Sequence, residues 1–127
     1  MSRLIKAAAL VLATCAMASP ALADGDVKKG AKVFKKCKAC HVVDKKKNKV
    51  GPHLVGLFGR KAGTLEGYKY SKAMIEHGVE WDEETLAEYL AAPKKVVKKT
   101  KMAFGGVKKE KQLVNLIAYL KEATAEE

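Results

Sequence analysis

The sequence is poor in the residues that most catalytic or cross-linked domains depend on. It has three cysteines in 127 residues, and one of them, Cys15, lies in an N-terminal stretch of different composition. A bridge between Cys37 and Cys40 would close almost no loop and stabilise little, so a disulfide scaffold is a poor reading. With only His53 and His77 beyond His41, no second ligand pair stands at a zinc-knuckle spacing. No alternating apolar run is long enough for a sheet, and no strand precedes Cys37 to make a thioredoxin-like strand–helix unit. One Trp, four Tyr and three Phe furnish a thin core for so small a domain. Something besides side chains is expected in the interior.

Long hydrophobic runs are missing too. Arg3 and Lys6 make a positive start, and Ala7–Ala18 is small and apolar but interrupted by Thr14 and Cys15. A membrane span is therefore the poorer reading. Pro20 and the small-x-small pattern Ala21-Leu22-Ala23 complete the layout of a cleaved secretory signal peptide over residues 1–23. Cys15 sits badly for lipidation, because a Thr precedes it and the cleavage pattern lies further on. The mature domain is expected to be residues 24–127, one domain without repeats or a linker. Without Arg3 and Lys6 it keeps 23 basic residues against 14 acidic ones, a formal charge of +9. Nucleic acid is the usual partner of such a charge, but export and the lack of aromatic–basic interleaving argue against it. A negatively charged protein or membrane surface fits better.

What is present reads as helix and loop. Asp26 to about Lys36 is expected to be a short helix with acids at its start and Val27, Gly30 and Phe34 near one stripe. Residues 44–67 are rich in Gly and Lys and read as loop. Ser71–His77 is one or two helical turns. Asp82-Glu83-Glu84 opens another helix, with Leu86, Tyr89 and Leu90 apolar and Pro93 ending it. After a loop over Pro93–Val107, Leu113, Leu116, Ile117 and Leu120 mark a last helix, about Lys108 to Ala123. The expectation is an all-α domain of three main helices. Its loops are too long for so small a domain unless they wrap a large cofactor.

Cys37-Lys38-Ala39-Cys40-His41 supplies that cofactor. Cys-x-x-Cys-His is the c-type haem attachment pattern: two thiols add to the haem vinyl groups, and the adjacent imidazole reaches the iron. An electron carrier needs a second axial ligand, and a soft thioether there favours Fe(II). Met74, on a helix, reads as core filler. Met102, in a loop between two helices, reads as the ligand. His53 is its rival, but behind a Gly-Pro turn it reads better as a partly exposed loop histidine.

Taken together, these residues resemble class I cytochromes c over essentially all of 25–127. The resemblance is carried by Gly30 and Phe34, the haem motif, Lys49 to Leu54, Gly56 to Lys61, Tyr68-Lys69-Tyr70, Trp81, Tyr89-Leu90, Pro93-Lys94-Lys95, Thr100 to Phe104 and Leu116 to Lys121. It implies one covalent haem c on Cys37 and Cys40, with His41 and Met102 as axial iron ligands. It further implies that the Pro52 carbonyl takes the other ring N–H of His41 and that Tyr89 bonds the Met102 sulfur. Arg60, Tyr70, Trp81 and Thr100 would surround the propionates, with Leu54, Leu90 and Phe104 lining the apolar pocket. Gly30 and Phe34 would meet Leu116 and Tyr119 where the first and last helices cross. The position of Phe34 relative to Cys37 suits the bacterial cytochrome c2 branch, and a secretory leader adds the bacterial periplasm. Met74 stands where an Asn is common near a propionate. Lys98-Lys99 replace a Pro-Gly of mitochondrial members, so a less rigid ligand loop is expected.

The function implied is a one-electron carrier rather than an enzyme, because Met102 would fill the position that a peroxidase or oxygen binder keeps open. Donor and acceptor would be acidic redox proteins: a membrane cytochrome bc complex, then an oxidase or a photosynthetic reaction centre. Docking would be led by Lys35, Lys36, Lys38, Lys94, Lys95, Lys101, Lys108 and Lys109, on a monomer that touches membrane complexes only peripherally.

Overall fold

The computed structural model describes residues 25–127. The expected signal peptide, residues 1–23, lies outside them. The first helix, α1 (Val27–Phe34), starts where Asp26 accepts a hydrogen bond from the Lys29 backbone N–H at 2.9 Å. That carboxylate satisfies a donor the helix cannot use internally. Gly30 and Phe34 are the buried residues of its inner face. The last helix, α5 (Glu110–Ala123), buries Asn115, Leu116, Ile117 and Leu120. The two cross at Gly30, where a Cβ would stand 2.6 Å from the Tyr119 Cβ and inside the Asn115 carbonyl. A glycine in a helix interior costs about 1 kcal/mol of propensity, and here that cost is offset by the approach of two backbones. The Asn115 side chain accepts the Asp26 N–H at 2.8 Å, and the Phe34 and Tyr119 rings lie 5.2 Å apart.

Between these helices the chain follows the expected order, with one addition. Helix α2 (Lys72–His77) is capped by Ser71, and Gly78 closes it in the left-handed conformation with φ 54°. Helix α3 (Glu83–Ala91) opens on a capping box in which Asp82 and Thr85 each serve the other's backbone. The addition is α4 (Pro93–Val96), a single turn in a stretch expected to be loop. Pro93 ends α3, and its fixed φ and missing N–H also suit the first position of a new helix. Residues 41–70 form turns. Trp81 and Gly59–Arg60 exchange backbone hydrogen bonds of 2.7 and 2.9 Å, and the isolated antiparallel bridge Lys61–Glu80 is the sole β pairing among the described residues. The fold is all-α.

The buried side chains fall into two groups. One joins Phe34, Val107, Leu116 and Leu120; the other joins Leu57, Met74, Trp81, Leu86, Tyr89, Val97 and Ile117. A deep cleft, not a continuous core, runs between them. Among the described residues, no helix is long and apolar enough to cross a membrane.

Candidate functional site

The cleft spans roughly 1340 Å³ of space when the open solvent at its mouth is included. Its walls are Phe34, Leu54, Leu57, Leu86, Leu90, Phe104, Leu116 and Leu120, so it is mainly apolar. A second groove, between α3 and α5, has Leu113, Val114 and Ile117 on its floor and no cysteine, histidine or methionine in its lining. It has none of the chemistry of the first.

Cys37, Cys40 and His41 sit on one wall because the chain keeps turning after α1. The Cys37 N–H donates to the Phe34 carbonyl at 2.7 Å, and the N–H groups of Cys40 and His41 both donate to the Cys37 carbonyl, at 3.1 and 3.0 Å. Both thiols are free and half-buried. Burial pushes the Cys37 thiol up from its ordinary value, with Lys36 working against it. The His41 ring is fixed from two sides. Its Nδ1 lies 2.8 Å from the Pro52 carbonyl, which can only accept, so Nδ1 carries the proton and Nε2 keeps its lone pair. A Cβ on Gly51 would stand 2.8 Å from Nδ1 and closer still to Cε1, so only glycine lets the loop pass beneath the ring. Burial lowers the His41 pKa, the Pro52 bond opposing it, which favours the neutral imidazole that binds metals.

Met102 also lines the cleft, on the segment after α4. The hydroxyls of Tyr89 and Thr100 are 2.9 Å apart, while the Tyr89 oxygen is 4.0 Å from the Met102 sulfur. The expected Tyr89–sulfur bond is thus the longer of two contacts, and Thr100 holds the phenol. Burial raises the Tyr89 pKa, and the Thr100 bond lowers it. The Met102 segment is tied across the cleft by the Lys101 amine, which donates to the Lys69 carbonyl at 2.6 Å.

Arg60, Tyr70, Trp81 and Thr100 all line the cleft. Arg60 donates to the carbonyls of His53 (3.0 Å) and Val55 (2.6 Å), so part of its donor capacity is already used to hold the loop. Met74 is buried in the core and also lines the cleft. His53, expected to be partly exposed, is instead only 7% exposed and does not line the cleft. Its backbone N–H donates to the Asn48 side chain at 2.9 Å. The eight docking lysines are all exposed, with Lys36 and Lys101 at the cleft itself.

Two thiols, an oriented neutral imidazole, a thioether and mainly apolar walls are the donor set and shape that a covalent haem requires. Reading the sequence missed the reason for Gly51, the clamp by Asn115 and the tethers by Asn48 and Lys101. The Gly-Pro pair was a visible signal for the first. Asn48 lies only five residues from His53, whereas the Asn115 and Lys101 contacts join residues far apart along the chain.

The family model described as "Cytochrome c" matches residues 27–124. Among curated proteins, the chain is 55% identical to a cytochrome c of Gibberella zeae over 105 residues, 81% of this chain and 99% of that protein. It is 55% identical to one from Sesamum indicum over 80% of this chain and 93% of the relative. A third, from Arabidopsis thaliana, is 52% identical over 79% and 91%. These relatives are eukaryotic, from a fungus and from plants, and they point away from the periplasmic, bacterial setting expected above. A basic start, small apolar residues and an absence of acids are features that leader sequences of different destinations share, so composition over residues 1–23 was too coarse to name a compartment. The chain belongs to the cytochrome c family: it is an all-α class I c-type cytochrome, a haem electron carrier with one covalently bound haem c.

Proposed function

We propose that this cytochrome shuttles single electrons from a membrane cytochrome bc complex to a terminal acceptor, an oxidase or a photosynthetic reaction centre, and catalyses no reaction of its own. Cys37 and Cys40 would hold the haem through thioether bonds, with His41 and Met102 as axial ligands of the iron. When bound, that iron supplies one-electron exchange between Fe(III) and Fe(II). The observation that carries the reading is the Pro52–His41 hydrogen bond at 2.8 Å, which commits Nδ1 to the protein and leaves Nε2 as the donor atom.

The other residues orient the site and keep water out. Gly51 and Pro52 pin the imidazole, and Tyr89 and Thr100 steady the segment bearing Met102. Arg60, Tyr70, Trp81 and Thr100, which line the cleft, would offer donors to the two propionates. Lys35, Lys36, Lys38, Lys94, Lys95, Lys101, Lys108 and Lys109 would steer acidic partners to the cleft mouth. The amines of Lys101 and Lys108 are held by the carbonyls of Lys69 and Ala91, which fixes two of these charges in place. The working species is a monomer of residues 24–127, after loss of the leader at 1–23, and it touches membranes only through its partner complexes.

Acid–acetone extraction of the purified protein tests the attachment. Haem that stays with the protein, and leaves it in a Cys37→Ala/Cys40→Ala variant, is the expected result. Haem that moves into the solvent from the parent protein overturns the assignment. Electron-transfer rates with an acidic partner should fall as salt rises, since such steering is screened beyond about 10 Å at 0.1 M salt.

A further inference from the structure

Among the described residues, Nδ1 of His53 is the sole buried side-chain nitrogen or oxygen without a hydrogen-bond partner. Its surroundings are built from three separated parts of the chain. Arg60 donates to the His53 carbonyl, and Asn48 accepts the His53 N–H. The C-terminal tail closes over the same segment. The Gly56 N–H donates to the Thr124 carbonyl at 2.7 Å, and the Glu126 carboxylate lies over Gly56, 3.1 Å from where a Cβ would stand. Lys46 pairs with Glu126 at 3.2 Å, with both side chains mostly exposed. The charged groups facing the ring are therefore Arg60 and Lys46, both positive, and Glu126, negative.

We propose that His53 is an acid-sensitive latch: protonation of its buried ring parts the 53–56 segment from the C-terminal end, opening the Gly56–Thr124 bond and the contact with residues 125–127, while the helices stay folded. An uncharged ring tolerates burial without a partner, but an imidazolium does not, least of all beside two cations. The least disruptive relief is to swing the ring into water. That displaces an exposed ion pair worth little on its own and the Gly56–Thr124 backbone bond, while Thr124 itself stays buried at the end of α5 with its hydroxyl and N–H on the Leu120 carbonyl. The packed crossing of α1 and α5 is not disturbed.

The sign follows from the direction of the shift. Burial first, then Arg60 and Lys46, hold the latched His53 below its ordinary value of 6.5, with Glu126 opposing them. The released state binds a proton near the ordinary value, so the latch is at full strength above it. Latching weakens as pH falls below that value and stops weakening once pH passes the latched pKa. No haem group enters this scheme, so it stands or falls apart from the redox reading.

The test is amide hydrogen exchange on the holoprotein between about pH 7.5 and pH 5, a window set by the ordinary imidazole range. Rates are corrected for intrinsic pH dependence, with the Leu116 and Ile117 amides as internal controls. Protection of the Gly56 amide should fall with acid, by up to about tenfold for each pH unit below the ordinary value, while the controls hold. In His53→Asn, Gly56 protection should be flat with pH. Two further variants separate the buried ring from the ion pair above it. Lys46→Gln removes a facing cation and should reduce the acid sensitivity, whereas Glu126→Gln removes the facing anion and should increase it, although both break the same pair. Gly56 protection that ignores pH in the parent protein overturns the proposal. So does an acid response that moves in the same direction in both charge variants, because the ion pair itself would then be the latch.

Discussion

The crossing of α1 with α5 and the segment from Val97 to Val107 both contribute walls to the cleft, but they are built in different ways. At the crossing, Gly30 brings two backbones together, Asn115 ties the start of α1, and Phe34, Leu116 and Leu120 are nearly free of solvent. The motif 37–41 hangs from the end of this unit. Between its buried ends, Val97 and Val107, the Met102 segment is held mainly by a few polar ties: Tyr89 to Thr100, Lys101 to Lys69, and the Val107 N–H to the Leu90 carbonyl. It also carries Lys99 at φ 68°, the single non-glycine residue with positive φ among those described. The attachment side is thus over-determined by packing, whereas the thioether side rests on exchangeable hydrogen bonds and strained backbone. A ligand set built this way is expected to fail first at Met102.

The largest effect should come from the crossing. Gly30→Ala places a methyl group against Tyr119 and the Asn115 backbone, which cannot yield. A loss of about 3 kcal/mol, the upper range for overpacking, is expected in denaturant unfolding of the holoprotein. Wild-type stability in that variant would show that the helices can separate freely. Next is Asn115→Ala, which leaves the Asp26 N–H without its partner and should cost about 1–2 kcal/mol by the same measurement.

Changes in the Met102 segment should be smaller, and one should run the other way. Lys99→Gly removes a left-handed strain of about 1–2 kcal/mol but makes the unfolded chain more flexible, so a net gain of up to about 1 kcal/mol is expected. The same variant should retain the weak red Met–Fe(III) band to higher pH in an alkaline titration. No change in either measurement would show that the strain is relaxed in solution. Tyr89→Phe frees the Thr100 hydroxyl and should cost about 1 kcal/mol, visible as earlier loss of that band rather than a large shift in global unfolding.

The smallest effect belongs to the helix caps. Asp82 has its pKa held below the ordinary 3.8, first by the Thr85 backbone N–H and then by the Thr85 hydroxyl. Its folded value lies under its unfolded one, so its contribution is complete above the unfolded value and is lost as pH falls through the folded one. Asp82→Asn should therefore flatten a slight decline in stability below about pH 4 and leave neutral behaviour nearly unchanged. A profile identical to wild type would mean that the cap does not titrate with folding.

Much of this was legible in the residues. Asp26, Ser71 and Asp82 announced helix starts because capping is local, and the 3.6-residue spacing of Leu113, Leu116, Ile117 and Leu120 announced α5 for the same reason. Pro93 was half understood: the residue that ends α3 also begins α4, and one residue type supports both uses. His53 is buried rather than partly exposed, in surroundings that Asn48, Arg60 and a tail some seventy residues away build together. Lys98-Lys99 was read as a looser loop from the lost Pro-Gly, and the structure shows why the exchange matters, with a side chain held in a conformation that glycine adopts freely.

By itself, the sequence determined the haem chemistry and the helical parts. Cys-x-x-Cys-His and the caps act over five residues or fewer. Only the tertiary structure decided which donors converge. The Pro52 carbonyl on His41, Thr100 on Tyr89, Lys101 on Lys69 and the tail over His53 each join parts of the chain whose distance and angle no spacing encodes. A hydrogen bond is made or lost within a few tenths of an ångström, and that precision arises only when the packed helices and the loops between them are placed together.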